Sequence, residues 1–162
     1  MGIENRCCFT GHRTLGADFD RSRLDFEIEQ LYKGGVDTFI AGGALGFDME
    51  AGYAVLEAKK KHPNIKLWLF LPCLDQDARW NDADKQRRAN LIKNADYVDC
   101  PDIPYNSTVM KTRNYKMVDA CDNCICYFNG KFVSGTAQTV RYARKTGINV
   151  INLGKFDLTK FK

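Results

Sequence analysis

The chain has 162 residues, with 24 Lys+Arg against 20 Asp+Glu for a net charge of +4, and 44% of it is hydrophobic. That length suits one domain spanning residues 1–162, because a chain near 150 residues buries about 70% of its unfolded surface. With only 4 Pro and 13 Gly the composition excludes disordered, collagen-like and low-complexity chains, and a pI near 8.6 gives no sign of the basic stripe of a nucleic-acid-binding surface.

Met1 to Phe9 lacks the basic region and apolar stretch of a secretory signal, and Arg6 breaks the myristoylation pattern. Short β-rich runs then alternate with helical patterns, the sequence form of an α/β fold: a mostly parallel sheet of about six strands with helices on both faces. The strands are expected at Arg6–Thr10, Thr38–Ala41, Lys66–Leu71, Tyr97–Cys100, Asn123–Tyr127 and Asn149–Asn152, each short and rich in aromatic or branched residues. Between the first two, Leu24, Ile28 and Leu31 recur at helical spacing and Gly34-Gly35 supplies the stop. Phe47, Ala51, Ala54, Val55 and Ala58 form the apolar stripe of a second helix, and further helices are expected at Asp82–Asn94, Val109–Asp119 and Thr136–Lys145. The longest clean apolar run, Leu67 to Leu71, is far short of the ~20 residues a membrane span needs, so no membrane contact is expected.

Seven cysteines, including the neighbours Cys7 and Cys8 and the cluster Cys121, Cys124, Cys126, would risk mispairing outside the cell, so reduced thiols and a cytoplasmic location are expected. A zinc site needs four ligands, and the two histidines, His12 and His62, lie far from that cluster, so no metal is expected. Cys124 and Cys126 share one face of a strand and should pack as small apolar residues. Asn106-Ser107-Thr108 reads as a cap for the fourth helix.

Ligands of such sheets sit beyond the carboxyl ends of the strands, and small residues gather there. The segments are Thr10-Gly11-His12-Arg13, Gly42-Gly43-Ala44-Leu45-Gly46-Phe47-Asp48 and Ser134-Gly135-Thr136. Glycines admit close backbone approach, and a helix N-terminus presents about half a positive charge, so phosphate is the natural guest. Neither glycine loop has the Gly-Lys-Ser/Thr of a P-loop or the Gly-x-Gly-x-x-Gly of a dinucleotide site. Arg13 and Arg113 suit bidentate phosphate contacts or a solvated surface; Asp48 suits ribose hydroxyls or a helix N-terminus. His12 reads as general base, phosphate donor or turn residue, and Trp80 as a base-stacking ring or a packing residue.

These loops, with Arg113-Asn114, Met117 and Thr139, resemble the SLOG superfamily, and most closely its YpsA-like group of small bacterial proteins. The resemblance runs from about Arg6 to Asn152. It implies a Rossmann-like fold binding a nucleotide or nucleotide-derived small molecule at Gly11, His12, Arg13, Gly42, Gly43, Gly46, Asp48, Arg113, Asn114, Ser134, Gly135, Thr136 and Thr139. In the related LOG phosphoribohydrolases an Arg-x-x-x-Met helix precedes a Gly-Gly-x-Gly-Thr-x-x-Glu loop. Arg113, Met117, Gly135 and Thr136 match it, but Thr139 stands at the acidic position, where a hydroxyl cannot stabilise an oxocarbenium-like centre or activate water. Hydrolysis would then need Asp48 or Glu50 as the acid. The DNA-processing A family, whose members bind single-stranded DNA as oligomers, is similar in its Ser-Gly-Thr-x-x-Thr and Gly-Gly-Ala-x-Gly-x-Asp loops. The resemblance thus implies a homodimer and admits nucleic acid as a partner; it implies no cofactor.

Overall fold

The structure is a computed structural model and describes residues 5–161; Met1 to Glu4, the start of the segment read as lacking a secretory signal, and Lys162 lie outside the described residues. Strands β1 (Arg6–Gly11), β2 (Thr38–Ala41), β3 (Lys66–Phe70), β4 (Tyr97–Asp99), β5 (Asn123–Tyr127) and β6 (Asn149–Asn152) alternate with helices α1 (Arg21–Lys33), α2 (Phe47–Lys61), α3 (Asp82–Asn94), α4 (Val109–Asp119) and α5 (Gly135–Thr146). All strand pairs are parallel, in the order β4-β3-β2-β1-β5-β6. The chain walks outward from β1 to β4, then crosses back to place β5 on the other side of β1. That reversal leaves a crevice between the carboxyl ends of β1 and β5.

Two apolar layers sandwich the sheet, because successive strand side chains face opposite sides. Cys7, Phe9, Phe39, Leu67, Leu69 and Ile125 meet Leu24 and Ile28 of α1, Phe47 and Val55 of α2 and Leu91 of α3. Cys8, Ile40, Cys124 and Cys126 meet Met117 and Val118 of α4 and Val140 and Ala143 of α5. Burial pushes the Cys7 and Cys126 thiols well above their ordinary range, and both behave as small apolar residues. Among the described residues no helix is long and apolar enough to cross a membrane.

Element ends move by a residue. β3 stops at Phe70 and β4 at Asp99, although Leu71 N–H still donates to Asp99 C=O at 2.7 Å. Gly34 ends α1 and Gly35 takes φ +106°. Asn106 does not cap α4 directly. Its Oδ1 accepts from Thr108 N–H and Oγ1, both at 2.9 Å, and Thr108 is the helix's N-terminal flank, without a side-chain cap.

Candidate functional site

A cavity of about 760 Å³ opens at the β1/β5 reversal. Its lining brings together Gly11, His12, Arg13, Asp48, Arg113, Asn114, Ser134, Gly135 and Thr136, drawn from β1, α2, α4 and α5. Gly42, Gly43, Gly46 and Thr139 do not line it.

Those four residues serve the fold beneath the cavity. A Cβ on Gly42 would overlap the Arg113 guanidinium, and one on Gly43, at φ +70°, would come within 2.7 Å of Leu71. Gly46, at φ +82°, lies against the Arg13 carbonyl, which fixes the β1–α1 loop on the start of α2. Phe47 N–H donates to His12 C=O at 3.1 Å across the same seam. Thr139 Oγ1 donates to Gly135 C=O at 2.8 Å, inside its own helix. Gly11, although it lines the cavity, is required by the Phe47 ring, 2.5 Å from where its Cβ would sit.

Asp48 and Arg113 form the floor, each only 6% exposed. The Asp48 carboxylate accepts from Gly42 N–H at 2.9 and 3.0 Å and from Ala44 N–H at 2.7 Å, so it knits the glycine loop to α2. Burial raises its pKa above the usual 3.8, against the lowering pull of Arg113 and those N–H groups. Arg113 Nη1 donates to the carbonyls of Gly42 and Phe70, and its Nε to Asn114 Oδ1 at 2.8 Å. Burial draws the guanidinium below its ordinary value, and Asp48 opposes that. Gln76 adds a third support: its amide donates to Gly42 C=O at 3.1 Å and accepts from Arg88 Nε at 2.9 Å. Two charges that sequence pattern aims at a ligand are thus engaged by backbone, and they largely cancel.

The rim is different. Arg13 is exposed, and among the described residues its guanidinium has no hydrogen bond or ion pair. Ser134 caps α5, with Oγ accepting from Ala137 N–H at 3.0 Å and donating to Lys131 C=O at 2.9 Å. The Gly135 and Thr136 N–H groups, at the first two helical positions, have no acceptor within the helix. Gly135 has nothing within 4 Å of a would-be Cβ. This is the one glycine of the three loops whose empty side faces open space.

Sequence pattern gave no signal for several lining residues: Gln76, Tyr105, Asn129, Lys131 and Asp18. They sit on irregular loops without periodicity, held by long-range bonds. Asn129 N–H donates to His12 Nε2 at 3.1 Å, which places the proton of the neutral ring on Nδ1. Burial, and secondarily the Lys131 charge, holds His12 below its ordinary 6.5. Tyr127 donates to Asp18 Oδ1 and accepts from Gly16 N–H at 2.9 Å, fastening the β1–α1 loop over the end of β5.

Several known proteins are similar to this chain in sequence or in fold. A UPF0398 protein of Halalkalibacterium halodurans is 26% identical over 136 residues, covering 83% of this chain and 72% of that protein. The SPbeta prophage-derived protein YoqJ of Bacillus subtilis is 32% identical over 120 residues, covering 67% and 70%. Among solved structures, DNA processing protein A from Streptococcus pneumoniae superimposes with a TM-score of 0.64 at 17% identity, over 91% of this chain and 49% of that one. DNA processing protein A from Helicobacter pylori, solved for its single-stranded DNA binding mode, gives 0.67 at 19%, over 91% and 64%. The chain therefore spans about half of one of these proteins and under two thirds of the other, and the likeness is one of fold. The YpsA family model, described as the YspA SLOG family, matches residues 16–156. With that match over most of its length, the chain belongs to the YspA SLOG family.

Proposed function

We propose that the cavity binds a phosphate-bearing nucleotide or nucleotide-derived ligand, with the phosphate at the N-terminus of α5. The observation that carries this is the open side of Gly135: two N–H groups without helical acceptors face a cavity, and no side chain fills the approach. Arg13 and Lys131, both exposed on the same rim, supply the charge that the paired floor does not.

Binding is favoured over N-glycosidic hydrolysis by where the acids lie. Asp48 has its oxygens on backbone N–H groups, Asp18, the other carboxylate lining the cavity, accepts the Tyr127 hydroxyl, Thr139 bonds its own helix, and Glu50 pairs with Arg87 at 3.0 Å away from the cavity. Thermal melts with inorganic phosphate, AMP, ADP-ribose and NAD test the reading. A ligand at about 100 times its Kd adds about 2.7 kcal/mol, or roughly 5–10 °C for a chain of this size. No shift with any of them overturns it.

A second reading, single-stranded nucleic acid, draws on the fold shared with the Helicobacter pylori protein and on the exposed Arg13 and Lys131 at the cavity rim. It requires oligonucleotide affinity that falls steeply with salt and drops in Lys131→Ala. Absence of binding at low ionic strength removes it.

A further inference from the structure

Nearly every aromatic ring of the chain is engaged by another ring or by a cation. Of ten phenylalanines, seven tyrosines and two tryptophans, all but Phe26, Trp80 and Tyr105 have such a neighbour among the described residues. Phe26 lies on α1, away from the site. Trp80 and Tyr105 both line the cavity, beside Leu45 and Met110.

Backbone hydrogen bonds fix the segments that carry these two rings, and Trp80, half-buried, also packs against the apolar layer beneath the cavity. Tyr105 is 61% exposed, yet its N–H donates to Asp75 Oδ1 at 2.8 Å, and Leu74 N–H donates to Ile103 C=O at 2.9 Å. These bonds tie the loop after β3 to the loop after β4. Asp75 C=O also accepts from Ala78 N–H at 3.1 Å, and Asp77 C=O from Trp80 N–H at 3.0 Å, just before Asn81 caps α3. Asp75 therefore positions the segment that carries Tyr105, and Asp77 the one that carries Trp80. The neighbouring Gln76 has both ends of its amide engaged by Gly42 and Arg88 and is poorly placed to read hydrogen bonds.

We infer that Trp80 and Tyr105 form a stacking wall for the base of a nucleoside 5′-phosphate. The ligand class is then a base-bearing mononucleotide rather than a bare sugar phosphate, and one recognised by ring stacking more than by base identity. This rests on the phosphate reading above. A cavity of about 760 Å³ has room for such a ligand. Every base has a π-face, so stacking tolerates all four bases.

The test is calorimetric titration of the wild-type chain, Tyr105→Ala and Trp80→Leu with AMP, CMP and ribose 5-phosphate. In a Trp68→Phe background Trp80 is the sole indole and reports stacking by fluorescence quenching. Expected are nucleotide affinities about tenfold above ribose 5-phosphate, a similar loss of that advantage in each variant, unchanged ribose 5-phosphate binding, and quenching by AMP and CMP but not by ribose 5-phosphate. Tyr105 is exposed, so its variant folds even where Trp80→Leu does not. Equal binding of AMP and ribose 5-phosphate, or unchanged AMP affinity in Tyr105→Ala, overturns the stacking wall and leaves the phosphate site standing. Failure of all three ligands to bind overturns the phosphate reading itself.

Discussion

Replacing Arg113 by Met should cost stability far more than it costs anything else. The guanidinium is buried, bonds the carbonyls of Gly42 and Phe70 and faces the Asp48 carboxylate from beneath the glycine loop. Methionine keeps the stem but leaves two carbonyls short of a donor and a buried carboxylate without its opposing charge. Breaking one side of a buried charge pair costs about 3–5 kcal/mol, which at about 2–4 °C per kcal/mol lowers Tm by roughly 6–20 °C. Asp48 then loses the influence that pulls its pKa down, so its pKa climbs further above 3.8. A carboxyl with a raised folded-state pKa favours folding below the unfolded value and loses that contribution as pH rises through the folded value. The deficit of Arg113→Met should therefore shrink toward about pH 4. Asp48→Asn in the same background should cost less than it does alone, with a coupling of at least about 1 kcal/mol. Urea melts of the four proteins of this cycle are the assay. A loss of unfolding free energy under about 0.5 kcal/mol for Arg113→Met, with strictly additive effects, refutes the claim that this pair holds the loop.

Arg13→Ala should give the opposite result: stability within about 0.5 kcal/mol of wild type by urea melt, with phosphate or AMP affinity reduced about tenfold by calorimetry. Gly135→Ala should fold as well as wild type, since its Cβ meets open space, yet weaken AMP binding because the methyl stands where phosphate approaches; unchanged affinity places the anion elsewhere. Gly46→Ala should destabilise by about 2 kcal/mol or more, because it combines φ +82° with overlap on the Arg13 carbonyl, and a near-native Tm contradicts that packing. His12 has a depressed folded-state pKa, so its contribution is full above about 6.5 and is lost as pH falls through that value and then through the folded pKa. The variant His12→Gln, which can still accept from Asn129 N–H, should show a flatter Tm profile between about pH 8 and pH 5, and parallel profiles would rule out a titrating His12.

The order of strands and helices is readable because each element carries its own period. Cys7 and Phe9 against Cys8 gives the two-layer sheet, and Leu24 and Ile28 give the inward face of α1. The meeting of Arg13 with Gly135 and Thr136 follows from topology alone, since parallel strands deliver the following loops to one edge. The division of labour within the site is a different matter. A glycine in a sequence says that a Cβ is unwelcome without saying what excludes it: Gly11 yields to Phe47, Gly42 to Arg113 and Gly46 to a backbone carbonyl. Among the glycines of these three loops, Gly135 alone leaves the space free.

The same ambiguity attaches to charge. Asp48 and Arg113, some sixty-five residues apart, look from the sequence like separate ligand contacts, but folding buries both within each other's electrostatic reach and bonds each to the backbone of Gly42. A buried, largely cancelling pair adds little attraction for an anion, so the cations that matter are the ones the core leaves alone. Those are Arg13, on the loop clamped by Gly46 and Tyr127, and Lys131, on the loop whose Asn129 N–H is held by His12. Each anchors a different side of the β1/β5 crevice. An anion contacting both would join two loops that the protein itself links through the His12–Asn129 bond, the His12 N–H to Tyr127 C=O bond and the Tyr127 hydroxyl, so ligand affinity and the order of these loops should rise and fall together.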